Sequence, residues 1–460
     1  MKQRIRARSA GRNGASRRGA ATGRVSRPGR GVARSARRRR RPRVVILGGA
    51  GAMGRITAAD LVRTSRGAVE IVVADRDVPR AAARGGGRGP GVRAIQVDVA
   101  DPASLERALH GASVVIASLP YRLTLTAMRG ALAAGAHYLD LGGLFHVTRR
   151  QLELNPEFER AGIMAILGIG SAPGIINVLA ELAARDLDRV REIHCLVGAV
   201  DRTRYRVVPA LGFGYSVDTL LDEFVLPSAV FRDGAFSLVP ALDPRERIEV
   251  RFPPPVGPLA VDTTLHSEVA TLPSSFAARG IREVTFRQGF ERAFMDKLRF
   301  LVKLGLADTT ELELGNGGNK AVRAGVTPRQ VLLELVGRLP AATAVGRPGR
   351  YEVLRALVRG TRRGRSVSVV ADCHVGPRAG WGIGPDIDTG APPSIAAQLL
   401  LSGKIEARPG VWAPEEVVPV EPFVRELKRR GMRVTCRAVA HRPGGAAARP
   451  ARSAGSAGGA

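Results

Sequence analysis

Apolar positions between residues 43 and 184 fall in short runs separated by amphipathic stretches. Arg43–Leu47 (RVVIL) reads as a strand buried on both faces, and Ile56–Val62 as a helix. Val69–Ala74 and Val92–Val99 are the next strands. Asp101-Pro102 then starts a helix over Ala103–Leu109, with Asp101 as N-cap and proline at the first helical position. Ser113–Ala117, Ala136–Leu139 and Ile163–Leu167 continue the strands, while Thr124–Ala134 and Gln151–Arg160 continue the helices. Six strands alternating with helices predict an α/β fold: a doubly wound parallel (Rossmann) sheet with right-handed crossovers.

After a helix at Ile175–Ala184 the alternation stops. Arg191–Val200 reads as a strand and Val217–Phe224 as a helix. Ile248–Phe252 and Leu259–Leu265 are strand-like around a proline-rich turn, followed by a strand at Ile281–Gln288 and a helix at Arg292–Leu304. Tyr351–Val358 and Ser366–His374 flank GTRRGR as a hairpin. Gly315–Arg350 is glycine-rich with one helix, Arg329–Arg338, and reads as a peripheral excursion. Helices at Ser394–Ser402 and Pro422–Arg430 return to the first domain. The expected organisation is a nucleotide domain over 43–187, completed by 391–436, with an inserted α+β substrate and dimerisation domain over 188–390.

The turn after the first strand carries the chemistry. Gly49-x-Gly51-x-x-Gly54 joins strand to helix: Gly49 permits the turn, Gly51 lets the backbone approach a pyrophosphate, and Gly54 lets the helix pack on the strand. Ala52 and Met53 open the helix whose free N–H groups face the phosphates. Asp75 ends the second strand, 21 residues after Gly54, where an acid bonds the adenosine ribose hydroxyls. It would repel a 2′-phosphate, so NAD is favoured, with NADP kept open by Arg76 beside it. Asp98 and Val99 close the third strand on the same edge, and the nicotinamide is expected near Ser118, Leu119 and Pro120.

Composition narrows the class. The 460 residues are 45 % hydrophobic and 24 % charged, which excludes a disordered or collagen-like chain. No run of 18 uncharged apolar residues occurs, so no membrane span is expected. Cys195, Cys373 and Cys436 lie far apart without a CxxC, which fits a reducing, cytoplasmic setting. The net charge of +30 is uneven: residues 1–43 hold 17 basic side chains and no acid, and the tail 437–460 holds four arginines and no acid. Residues 1–42 and 437–460 are expected to be disordered extensions. Arg37–Arg41 reads as a nucleic-acid arm, an organelle transit segment or compositional bias, the chain having 65 Arg against six Lys. Bias carries the most weight, so no nucleic-acid partner is expected.

Gly48-x-x-Gly51-x-x-Gly54 also fits short-chain dehydrogenases, which need a Tyr with Lys four residues later. The residues four beyond Tyr121, Tyr138, Tyr205, Tyr215 and Tyr351 are Leu125, Gly142, Pro209, Thr219 and Arg355, none of them Lys. Other patches point elsewhere: Ala117–Tyr121, Tyr138–Gly143, Gly168–Asn177, Thr389–Ile405, Gly410–Glu416 and Pro422–Arg429. Together they resemble the saccharopine dehydrogenase-like superfamily, over roughly Arg43–Val434. Ala172–Asn177 and His266–Phe276 look nearest to its lysine 6-dehydrogenase branch. That likeness implies an NAD(P)-dependent oxidoreductase acting on a C–N bond of an amino acid, giving an imine or semialdehyde. The alternatives are the reductive direction, in which a saccharopine reductase-type or polyamine-forming enzyme uses NADP, and a non-catalytic dinucleotide-binding protein. A homodimer and a small amino-acid or diamine substrate are expected.

An amine must be neutral to lose hydride from its carbon, so a general base or an apolar pocket is needed beside it. His266 and Glu268 are candidates, since alternate residues of an extended segment point the same way. The plainer reading makes Glu268 an arginine partner and His266 a structural residue. Asp140 orients substrate or ribose, or fixes the Gly142-Gly143 turn. Tyr121 lines the pocket or packs, and Arg122 stands at the right edge to hold a carboxylate. Asp372-Cys373-His374 has no partner pair at ligand spacing, so no metal is expected.

Overall fold

Seven parallel strands build the nucleotide half of the computed structural model, which describes residues 41–79, 91–211, 216–314, 322–323, 325–340, 342–377 and 386–439. Six come in sequence: β1 (Arg43–Leu47), β2 (Glu70–Asp75), β3 (Val92–Gln96), β4 (Val114–Ala117), β5 (His137–Asp140) and β6 (Met164–Ile166). The seventh, Gly410–Trp412, returns after the insert to pair with β6, giving the order Gly410–Trp412, β6, β5, β4, β1, β2, β3. The strand order reverses between β1 and β4, the place where such sheets bind ligands. Both faces are covered, as the apolar runs predict: Val44 and Ile46 enter one core, Val45 and Leu47 the other. The expectations for residues 1–40 and 440–460 fall outside the described residues.

The second sheet is mixed and nine-stranded. Its central strand, β7 (Arg189–Asp201), runs parallel to Glu283–Gly289 and antiparallel to Arg350–Arg362. Arg350–Arg362 turns back into Arg365–Val375 through Arg363 and Gly364, both with positive φ, as the GTRRGR hairpin predicts. The helix Ile175–Ala184 lies between the two sheets with nine of its ten residues buried. Its side chains share one core with Val44 of the parallel sheet and Leu354 of the mixed one, so the two halves pack as a single unit.

Four features depart from the sequence expectation. Residues from Arg433 onward, assigned to the nucleotide domain, pair instead with Arg365–Val375, because the alternating Val434 and Cys436 extend the mixed sheet's edge. The hairpin Ser228–Arg232/Ala235–Val239, turning at Asp233-Gly234, was not foreseen. The single helix over Gln151–Arg160 is two, Phe145–Leu152 and Asn155–Ala161, because Pro156 starts a new one. The helix expected at Ser394–Ser402 starts at Ile387 and runs through Pro392 and Pro393. Prolines there return no amide hydrogen to the carbonyls four residues earlier, of Asp388 and Thr389.

Candidate active site

The glycine turn is tightly determined. A Cβ on Gly54 would lie 2.3 Å from the carbonyl oxygen of Gly48, and one on Gly49 would lie 2.5 Å from Val73. Only the small residues let helix Ala52–Thr64 sit against the turn. Gly51 caps that helix with no side-chain hydrogen bond and no acid in the first turn, so the leading amides are left for an anion. Asp75 Oδ2 accepts the Ala50 N–H at 2.9 Å and Oδ1 the Asp77 N–H at 3.2 Å, which sets the acid beside the turn. Arg76 is exposed. Asp98 is exposed and accepts the Ala100 N–H at 2.9 Å, Val99 is buried, and neither lines the cavity described next.

A cavity of about 830 Å3 opens between the carboxyl edge of the parallel sheet and the mixed sheet. Gly51, Ala52 and Met53 line it, as do Ser118, Leu119 and Pro120 after β4. The Ser118 hydroxyl is buried without a hydrogen-bond partner. Uncapped amides, a steric cradle that a Cβ would fill and this orphaned hydroxyl fit a dinucleotide.

His266 and Glu268 come together, by a route other than the one expected. The segment is not extended: the strand ends at Thr263 and a helix begins at Glu268. Thr271 and Pro273 disguise that helix in the sequence. His266 Nδ1 lies 2.5 Å from Glu268 Oε2, and Nε2 lies 3.8 Å from Glu223 Oε1. The imidazole stacks on Phe286, with ring centroids 3.8 Å apart. Burial pushes the His266 pKa down, but the carboxylates of Glu268 and Glu223 outweigh it and leave it raised. His266 and Glu223 line the cavity, while Glu268 is fully buried behind them with Oε1 unpartnered. Ser267 donates to the carbonyl of Gly143, which fixes this segment to the loop after β5.

Asp140 fixes the turn at Gly142, one of its two expected roles. Tyr138 and Gln151 donate to Oδ2, and the amides of Gly142 and Gly168 donate to Oδ1 at 2.9 and 2.6 Å. The side chain is fully buried and off the cavity wall, with its acceptor sites spent on tying together the loops after β5 and β6. Tyr121 lines the cavity and donates to Asp222 Oδ2 at 2.7 Å; burial, then that carboxylate, raises its pKa. Arg122, the expected carboxylate holder, is bound to Asp222 at 2.5 Å and faces Asp218 at 3.5 Å. Asp372 is held by Arg355 at 2.7 and 2.9 Å, and among the described residues no three ligating side chains cluster for a metal.

The sequence reading missed the acids of this cavity. Asp201, Glu223, Glu291, Glu352, Asp386 and Asp388 line it, against Arg350 and Lys297 as the described lining cations. They lie on different strands and helices, and no local spacing announces them.

This fold and site define a dinucleotide-binding oxidoreductase whose parallel sheet is interrupted by an inserted mixed sheet. The saccharopine dehydrogenase NADP binding domain matches residues 44–166, and the saccharopine dehydrogenase C-terminal domain matches 170–432. The chain belongs to the saccharopine dehydrogenase family and is an NAD(P) oxidoreductase of that family. It is 24 % identical over 409 residues to carboxyaminopropylagmatine dehydrogenase of Synechocystis, covering 84 % of this chain and 96 % of that one. It is 26 % identical over 365 residues to carboxynorspermidine synthase of Vibrio cholerae, covering 74 % and 82 %. Saccharopine dehydrogenase (L-Glu forming) of Saccharomyces cerevisiae superposes with a TM-score of 0.63 at 18 % identity, over 87 % of this chain and all of the other. No helix among the described residues is long and apolar enough to cross a membrane.

Proposed function

We infer that the protein joins an amine to an aldehyde bearing a carboxylate and reduces the resulting C=N bond with NAD(P)H, as a polyamine-forming enzyme. The observation that carries this reading is the excess of carboxylates on the cavity wall. A polyamine is polycationic, and acids in a low-dielectric cleft attract it and hold its ammonium groups. The names of the relatives support the same chemistry, each combining a carboxyl group with a polyamine skeleton. The lysine 6-dehydrogenase branch, nearest in the sequence patches, has no such support among these relatives. Its strongest remaining argument is Asp75, since an acid at the end of β2 would favour NAD over NADP.

The residues divide the work as follows. His266, backed by Glu268, takes a proton from the attacking ammonium so that the free amine can add to the aldehyde carbon. It then returns the proton to the departing hydroxyl, which leaves as water as the C=N bond forms. Glu223, 3.8 Å from the imidazole, stabilises the cationic imine. When bound, the reduced nicotinamide supplies the hydride that converts the imine to a secondary amine. Aldehyde, amine, NAD(P)H and one proton thus give secondary amine, NAD(P)+ and water. Lys297 is the lining cation that would receive the aldehyde's carboxylate, Arg350 being held by Asp201 and Asp386.

The test mixes the purified protein with an amino-acid semialdehyde, NADPH or NADH, and in turn 1,3-diaminopropane, putrescine and agmatine. Loss of absorbance at the reduced-nicotinamide band and the mass of the secondary amine report the reaction. Reduction of NAD by lysine alone, without any amine-dependent oxidation of NADPH, would falsify this reading in favour of the lysine-oxidising one.

A further inference from the structure

One group of acids in the cavity is not used by this chemistry. Glu352 lies on the strand Arg350–Arg362, and Asp386 and Asp388 stand at the start of the helix Ile387–Leu401. Asp388 is 2 % exposed and lines the cavity, yet its Oδ2 has no hydrogen-bond partner. Its Oδ1 accepts only a long bond from Thr389 Oγ1, at 3.3 Å. The nearest cation, Arg350, is 3.9 Å from Asp386 and also 4.0 Å from Asp201, so it is divided between two acids. Once ionised, that oxygen is a buried charge without a donor, a cost that a ligand cation removes.

We propose that Glu352, Asp386 and Asp388 form a second cation subsite, which receives the ammonium or guanidinium at the far end of the amine substrate and so selects diamines over monoamines. This rests on the reductive amine reading above. Burial, then the proximity of Glu352, pushes the Asp388 carboxyl up, so an arriving cation replaces a proton held between the two acids. The subsite lies away from His266. The His266 ring stacks on Phe286, which pairs with Cys195, and Cys195 pairs in turn with Ala356. Glu352 stands four residues along from Ala356 on the same strand. Two strand spacings across and four residues along put the backbone positions of Phe286 and Glu352 roughly 16 Å apart. A substrate spanning both subsites carries its second cation remote from the reacting nitrogen.

The experiment is calorimetric titration of the full chain, loaded with NADPH, with 1,3-diaminopropane, agmatine and propylamine. The wild type is expected to bind the two dications roughly tenfold or more tightly than propylamine, the difference one charge-assisted contact carries. Asp388→Asn and Glu352→Gln are expected to bring the dications down to the propylamine level with NADPH affinity unchanged. Equal binding of all three amines by the wild type overturns the subsite, whether or not either variant folds. So does a preference that survives both substitutions, or a loss confined to NADPH affinity. If the preference is present but no amine drives NADPH oxidation, the subsite stands and the assigned reaction falls.

Discussion

His266 and Glu268 meet at 2.5 Å from different local structures, the histidine in the loop after the strand ending at Thr263 and the glutamate in the first turn of a helix. The pair is held by Ser267, whose side chain is tied to the loop after β5. Substituting His266 by Asn should therefore lower kcat roughly 10²–10⁴-fold, the usual share of a positioned proton-transfer group. NADPH affinity should be unchanged. Steady-state kinetics with a fluorescence titration of NADPH checks both.

Glu268→Gln tests the electrostatic half of that pair. The carboxylate of Glu268 is one of the two that hold the His266 pKa up against burial. Without it the imidazole loses its proton at lower pH, so the acidic limb of kcat/KM, set by the neutral base, should move to lower pH. A profile with an unmoved limb would remove Glu268 from the mechanism.

Asp75 positions the glycine turn through the Ala50 amide. Asp75→Ala should raise KM for NAD roughly tenfold, the cost of one lost charge-assisted contact. KM for NADP should change less, since the substitution also removes a charge facing any 2′-phosphate. The ratio of the two constants is the readout.

Asp60 and Arg430 are buried partners at 2.7 and 2.8 Å, and Ser394 donates to the same carboxylate at 2.6 Å. They bind helix Ala52–Thr64 to the C-terminal helices. Arg430→Ala strands a buried carboxylate and should cost about 3–5 kcal/mol in urea unfolding. Double replacement of Asp60 and Arg430 by apolar residues should recover much of that.

Glu415 is buried between Asn177 and Ser275, and burial raises its pKa to about 7. For an acid raised on folding, the native state holds a proton that the unfolded chain releases near pH 4.5. Its stabilising share is therefore present below about pH 4.5 and is lost as pH rises through about 7. Glu415→Gln, which keeps both hydrogen bonds, should flatten stability over that window and gain on the order of 2–3 kcal/mol at pH 8. Thermal melts across pH 4.5–8 decide it.

The nucleotide half was legible because its signals are local. RVVIL followed by GGAGAMG fixes a strand, a turn and a helix within a dozen residues, and Asp75 follows at a set distance. The hairpin at Arg363-Gly364 was read from its turn, while the equivalent Asp233-Gly234 turn was passed over although it carries the same signal. The acid wall was illegible for a different reason. Glu223, Glu352 and Asp388 are far apart in sequence, on two helices and a strand, and only the folding of the insert against the first sheet gathers them. Helix-breaking Pro392 and Pro393 hid the element that delivers Asp388.

Gly410–Trp412 borders β6, although about 240 residues of chain separate the two strands. A ribosome making this protein therefore makes eight of the mixed sheet's nine strands before it can close the parallel sheet. Any nascent product halted within the insert leaves the flank of β6 bare, a ready target for proteolysis or strand pairing with other chains.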